Sequence, residues 1–315
     1  MNMIYKFLLL SSLAFYCCGP SAKDSKSLQS SVGVQQSDSV NNVSEELDRM
    51  YNFIVPTETF VLDSKLGEIS GLSYNDGDVS FLCNNDEKGY FYILDGKTFE
   101  IKSEQKFAKG GDFESIEKVR NEVVVCKSSG KLYRYNLDNG EVITDKTGLS
   151  SSNNVEGLCF LESEDMLLIA CKEEPLENIK GKKNEKCFYT YDLKSKSLNK
   201  EPYLTIGEKE LIEKVKELYS EKFNLKLSQF LNKVDEFAPS GIAVHPQNQD
   251  LYIISARESI LLIVNKNKEI KDVLFLNNKT IPQPEGITFD PEGNLYISTE
   301  GQGFSGKVFK FDKLH

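Results

Sequence analysis

The stretch Gln283–Asp312, QPEGITFDPEGNLYISTEGQGFSGKVFKFD, decides how the rest of the chain is read. A β-branched run follows Glu285-Gly286. Then come a Pro-Glu-Gly-Asn turn, a second strand-like run, a glycine-rich bend and a third, aromatic run. Short runs separated by such turns read as a strand meander. The same opening recurs upstream: EISGLSY from Glu68, DFESIEKV from Asp112, NVEGLCF from Asn154 and APSGIAV from Ala238. Aligned on Ser70, Glu114, Glu156, Ser240 and Glu285, the five openings lie 44, 42, 84 and 45 residues apart.

Each opening leads to a turn, a second strand (VSFLCN, VVVCK, MLLIACK, LYIISAR, LYISTE), a polar bend and an aromatic third strand. The first four units add a weaker fourth strand. A period of about 42 to 45 residues is that of a four-stranded propeller blade. The expected fold is therefore all-β, a five-bladed β-propeller over residues 54–315. The double spacing does not need a sixth blade. Residues 208–236 place Leu211, Val215, Leu218 and Tyr219 at helical spacing opposite a charged face, and a second short helix carries Phe230, Leu231 and Val234. They read as a helical insertion between blades 3 and 4. The last unit lacks an outer strand, and ETFVLD, from Glu58 to Asp63, is the segment expected to supply it and close the ring.

The chain has 315 residues, 39% of them hydrophobic, enough for a large core. Its net charge of −10, without a basic stripe, excludes nucleic acid as a partner and docking to anionic lipid by charge. Lys6 followed by FLLLSSLAFY (Phe7–Tyr16) reads as an export signal too short to span a bilayer. It runs into Cys17-Cys18, which resembles a lipoprotein signal. The expectation is a signal peptide over 1–18, a lipid on Cys18 (or Cys17), a disordered Ser/Gln/Asn-rich tether over 19–50, and a place in the cell envelope.

In a propeller the first strands line a channel, and the five landmarks should meet at one mouth. Period-two alternation adds the positions two residues earlier, Glu68, Asp112, Asn154 and Gln283. Glu114, Glu156 and Glu285, with Glu68 and Asp112, would repel one another unless they take up protons or hold a cation. An oxygen-only set with no His or Cys suits a hard ion such as Ca²⁺, not zinc. Lys127, Lys172 and Arg257, at the second-strand ends, offer salt bridges instead. Together with Asn154, Gln283 and Glu300 they define the expected ligand- or partner-binding face. The glycine after the landmark would let blades pack closely at the axis.

Other motifs carry less. GQGFSGKV (Gly301–Val308) has Val308 where a phosphate loop needs Ser or Thr, and it precedes a strand. There is no G-x-S-x-G elbow. His245 follows a first strand and should lie on the face away from the acids. Cys83, Cys126 and Cys171 are expected to fill one small-residue slot in successive second strands, and a Cys171–Cys187 disulfide is left open.

With these motifs in order (EISGLSY, VEGLCF, ACKEEP, PSGIAVHP, QPEGITFDPEGNLYISTE), the chain from Glu58 onward resembles the bacterial SdiA-regulated domain family, distantly related to NHL-repeat propellers. The resemblance implies a five-bladed propeller with a bound calcium ion. Three functions follow as expectations: a lipid-anchored, calcium-binding interaction module; a metal-dependent hydrolase of lactonase or phosphoesterase type; and a purely structural envelope protein.

Overall fold

The computed structural model describes residues 49–176, 185–219 and 227–314. The expected signal peptide, the cysteines for lipidation and nearly all of the tether lie outside the described residues. Strand β1 is Glu58–Val61. Blade 1 is built from β2 (Ile69–Asn75), β3 (Ser80–Asn85), β4 (Tyr90–Asp95) and β5 (Ile101–Lys106). Blade 2 holds β6 (Phe113–Val119), β7 (Glu122–Lys127), β8 (Lys131–Asn136) and β9 (Val142–Lys146). Blade 3 holds β10 (Val155–Leu161), β11 (Met166–Cys171) and β12 (Glu185–Asp192), with its outer strand split into β13 (Ser197–Leu198) and β14 (Leu204–Gly207). Helices α1 (Glu208–Tyr219) and α2 (Leu227–Val234) follow. Blade 4 is β15 (Pro239–Val244), β16 (Leu251–Ser255), β17 (Ile260–Val264) and β18 (Ile270–Phe275). Blade 5 is β19 (Pro284–Phe289), β20 (Leu295–Thr299) and β21 (Lys307–Phe311), completed by β1.

The five first strands form the inner ring. β2 packs on β6, β6 on β10, β10 on β15, β15 on β19, and β19 returns to β2. Each is interrupted at its landmark: pairing with the second strand shifts at Ser70-Gly71, Glu114, Glu156, Ser240 and Glu285. A bulge leaves a residue outside the ladder and turns its side chain away from the regular alternation. Here it frees the landmark side chain for the channel. The following glycine permits the next blade to approach. A Cβ on Gly241 would lie 2.6 Å from the carbonyl oxygen of Glu285, and one on Gly286 would lie 2.8 Å from the amide nitrogen of Leu72. Blade 2 has Ser115 instead, and its Oγ accepts the Leu158 amide at 3.1 Å, joining blades 2 and 3.

Five apolar clusters fill the gaps between neighbouring blades. The cluster of blades 3 and 4 also takes up Leu211, Val215 and Tyr219 of α1, and Tyr219 donates to the Val273 carbonyl at 2.7 Å. The insertion is thus a plug over one blade junction, docked by the apolar stripe that its spacing predicted.

The bulges correct the expected cysteine slot. Cys83 pairs with Leu72, Cys126 with Ser115 and Cys171 with Val155, three successive levels rather than one. Counting along strands misaligned them because the second strands end at different levels. Cys126, Cys171 and Cys187 meet in the core of blades 2 and 3, where they are buried thiols. Burial holds Cys171 well above the ordinary range of a thiol.

Closure is as expected: β1 pairs antiparallel with β21, from Glu58 opposite Lys310 to Val61 opposite Lys307. The described chain also starts earlier than 54. Tyr51 bridges to Lys313, and its hydroxyl donates to the Gly293 carbonyl at 2.6 Å. Arg49 makes a two-pronged pair with Asp272 of blade 4 at 2.8 and 3.1 Å, nearly closed off from solvent. Removing one partner of a buried pair strands the other charge. Arg49→Ala is therefore expected to cost about 3 kcal/mol, and a chain beginning at Asp63 to lose more, both read as a lower melting temperature. A truncated chain melting with the parent would refute closure by β1.

Candidate functional site: a carboxylate ring at one channel mouth

The mouth is built from two registers. The landmarks supply Glu114, Glu156 and Glu285, with Ser70 and Ser240 completing the level. Ser240 donates across the junction to the Pro284 carbonyl at 2.6 Å. One step outward, each second strand ends beside the residue two before a landmark. Asp86 N donates to Glu68 O at 3.2 Å, Ser128 N to Asp112 O at 3.1 Å and Lys172 N to Asn154 O at 2.9 Å. The same step in blades 4 and 5 brings Ala256 and Glu300.

Glu156 is the buried centre of this ring, 4% exposed. One of its oxygens, Oε1, accepts both the Lys172 ammonium at 3.0 Å and the Asn154 amide at 2.8 Å. The Glu285 carboxyl has no hydrogen-bond partner among the described residues. The residue is half-buried, and burial plus the charges of Glu156 and Glu300 push its pKa well above the carboxylate range. Glu114 rises to about 9, through burial, the Glu156 and Asp112 charges and a hydrogen bond to Asp112 that favours the protonated form. Burial also raises Glu156, with Lys172 acting against it. Asp86 and Glu300 rise for the same first reason, and each feels Glu68.

Glu114, Glu156, Glu285, Glu68 and Asp112 therefore share one electrostatic neighbourhood. Asp112 is exposed, at the rim, and bonds to the Ser128 hydroxyl. Gln283 is tied to Gln302 of the glycine-rich bend. The three expected bases separate. Lys172 alone pairs with a ring carboxylate; Lys127 lies over the Phe113 ring at 5.5 Å and Arg257 pairs with Glu173 at 3.3 Å near the surface. The reason is register: Lys127 lies opposite Phe113, one level deeper than Lys172, while Arg257 begins a 3-10 turn beyond β16.

Sequence reading missed two acids. Asp86 stands where Lys172 stands in blade 3, and aligning strand ends instead of strand starts would have found it. Glu117, three residues past its landmark, bridges three blades: Oε1 accepts Phe160 N at 3.0 Å, and Oε2 accepts the Ser73 hydroxyl at 3.0 Å. Its pKa rises to about 7 by burial. No motif marks it.

His245 lies where expected, in the hairpin turn five residues past Ser240, about 16 Å along an extended strand. It is fully buried beside Tyr51, Tyr252 and Phe289, and burial lowers its pKa to about 4. No imidazole base stands at the acidic mouth among the described residues.

The donor set suits a hard cation in kind: oxygen ligands and excess negative charge. In the present arrangement Glu156 is committed to Lys172, and among the described residues no group of three or more His, Cys, Asp or Glu side chains is drawn together to hold a metal ion.

The raised Glu114 fixes a sign. Its folded pKa of about 9 exceeds the ordinary 4.5, so its stabilising contribution is complete below pH 4.5 and is lost as pH rises through 9. Glu114→Gln cannot ionise. Measured in chelator, the melting temperature of the parent should fall relative to Glu114→Gln between pH 5 and 9; a constant difference would contradict the burial of this acid.

Among solved structures, glutaminyl cyclase from Myxococcus xanthus superposes with a TM-score of 0.53 at 10% identity, over 82% of this chain and 97% of that one. A luciferin-regenerating enzyme gives 0.45 at 11% identity, over 82% and 95%. At 10% identity the likeness to the cyclase is one of fold. No curated protein matches the chain. The sequence model of the SdiA-regulated family matches residues 50–305, from the Tyr51 strap to the last bend of blade 5 and across all five landmarks. Five bulged first strands open the blades of this propeller, and the chain that forms them belongs to the SdiA-regulated family.

Proposed function

We propose that this chain is a binding module of the cell envelope, held to a membrane by a lipid on Cys18 (or Cys17), whose carboxylate-lined mouth takes up calcium. The charge imbalance of the mouth carries the reading. Glu68, Asp86, Asp112, Glu114, Glu156, Glu285 and Glu300 share one field in which, among the described residues, Lys172 supplies the ammonium that pairs with a ring carboxylate. A folded protein retains so many crowded carboxyls at a cost, either by keeping protons on them or by supplying a cation. Glu114, Glu156 and Glu285 are the residues that would hold the ion. A divalent cation would neutralise the ring and displace protons from it. The face presented to an envelope ligand or protein would be this mouth with its rim of Asn154, Gln283 and Glu300.

Calorimetry with calcium chloride in buffers of different ionisation enthalpy tests the reading. The expected result is binding with proton release, tighter at pH 8 than at pH 6, and weakened at least tenfold by Glu285→Gln. An absence of heat and of any calcium-dependent melting shift would overturn it.

The described fold begins at Arg49, on the face away from the acids, beside the turns that carry His245 and Gly293. No described helix is long and apolar enough to cross a membrane. Cys18→Ala should move the protein from the membrane to the soluble fraction. Retention at the membrane by both Cys17→Ala and Cys18→Ala would refute a lipid on either cysteine.

A further inference from the structure

Lys172 is fixed from both sides. Its amide donates to Asn154 O at 2.9 Å, and its carbonyl accepts the Lys186 ammonium at 2.6 Å. Its own ammonium lies 3.0 Å from Glu156 and also feels Glu285 and Glu114, with burial opposing the charge. At the same step of the other blades stand Asp86, Ser128, Ala256 and Glu300, none of them basic. Glu156, which Lys172 holds, is the most enclosed carboxylate of the ring, with a side chain 5% exposed.

We infer that Lys172 is the specificity-determining residue of this mouth: its ammonium is the resident cation of the ring and competes with an added divalent ion for Glu156. The inference rests on the cation reading above. Two cations cannot share one buried carboxylate without repelling each other, because at close range in a poorly solvated site their repulsion exceeds what it would be in water. Lys172 and Asn154 both hold Oε1 of Glu156, and a divalent ion spanning the two carboxylate oxygens, as Ca²⁺ does in bidentate sites, would displace the lysine side chain toward the rim. Lysine suits this role: the ammonium is a point charge on a flexible four-carbon stem. Affinity for an added ion is then the difference between its interaction with the ring and that of Lys172, and selectivity favours ions of higher charge.

Calcium binding is measured calorimetrically for the parent, Lys172→Met and Lys172→Arg. Lys172→Met should bind at least tenfold tighter, and Lys172→Arg, which keeps a resident cation, should stay near the parent. A second measurement needs no substitution: acylation of Lys172 by an N-hydroxysuccinimide ester, read by peptide mass spectrometry, should rise several-fold when calcium is added. Equal or weaker binding by a folded Lys172→Met, or unchanged Lys172 acylation in a parent that binds calcium, overturns the competition and leaves the cation reading standing. Calcium binding by none of the three proteins overturns the cation reading itself, and this inference with it.

Discussion

Main-chain contact at the propeller axis is the constraint on which the rest depends. Five first strands must lie side by side around a channel, and neighbouring blades approach until a carbonyl or amide of one occupies the space a Cβ would need in the next, as at Gly241 and Gly286. Such an approach is compatible with a regular ladder only if the strand yields locally. It does so by a bulge at the same place in all five blades. The bulge ejects the landmark side chain into the channel, where Glu114, Glu156 and Glu285 converge. Architecture and acidic mouth therefore have one cause.

The two ends of the channel are solved differently. Away from the acids, the turns are closed by apolar and aromatic packing: Tyr51 covers Tyr252, Phe289 and a neutral His245, and Arg49 locks the strap to Asp272. Protonating His245 would place an uncompensated charge there, so its folded pKa of about 4 lies below the ordinary 6.5. Its stability contribution is present above pH 6.5 and lost as pH falls through 4. At the mouth the signs reverse, because buried carboxyls favour their protonated forms. The fold is squeezed from acid by His245 and from alkali by Glu114, Glu117 and Glu285, unless a cation relieves the alkaline side. Lys172 provides part of that relief from within the chain.

Much of this was legible in the sequence because the repeat is a backbone repeat. Turn chemistry, β-branched runs and a period near 43 residues mark blades irrespective of what the side chains do. Closure by β1 followed from counting strands, and the helical plug from the spacing of Leu211, Val215 and Tyr219. The site was legible only to the level of its landmarks. Apolar runs along the chain do not mark Asp86, and they place Lys127 and Arg257 level with Lys172, because the partner across the sheet, not the run, sets the level of a second-strand residue. Glu117 left no signal at all, since an acid within a strand reads the same whether it faces water or two neighbouring blades.

The sequence by itself determined the number of blades, the closing strand, the position of the insertion and the identity of the residues that open each blade, because these depend on local periodicity and turn residues. Tertiary structure decided which side chains meet. The bulge overrides simple alternation, register separates residues that look equivalent along the chain, and only the assembled ring gives Glu156 its lysine and leaves Glu285 without one. Electrostatics falls off over a few ångströms in space, not along the chain, so the charge balance of the mouth exists only once five distant segments have been brought together.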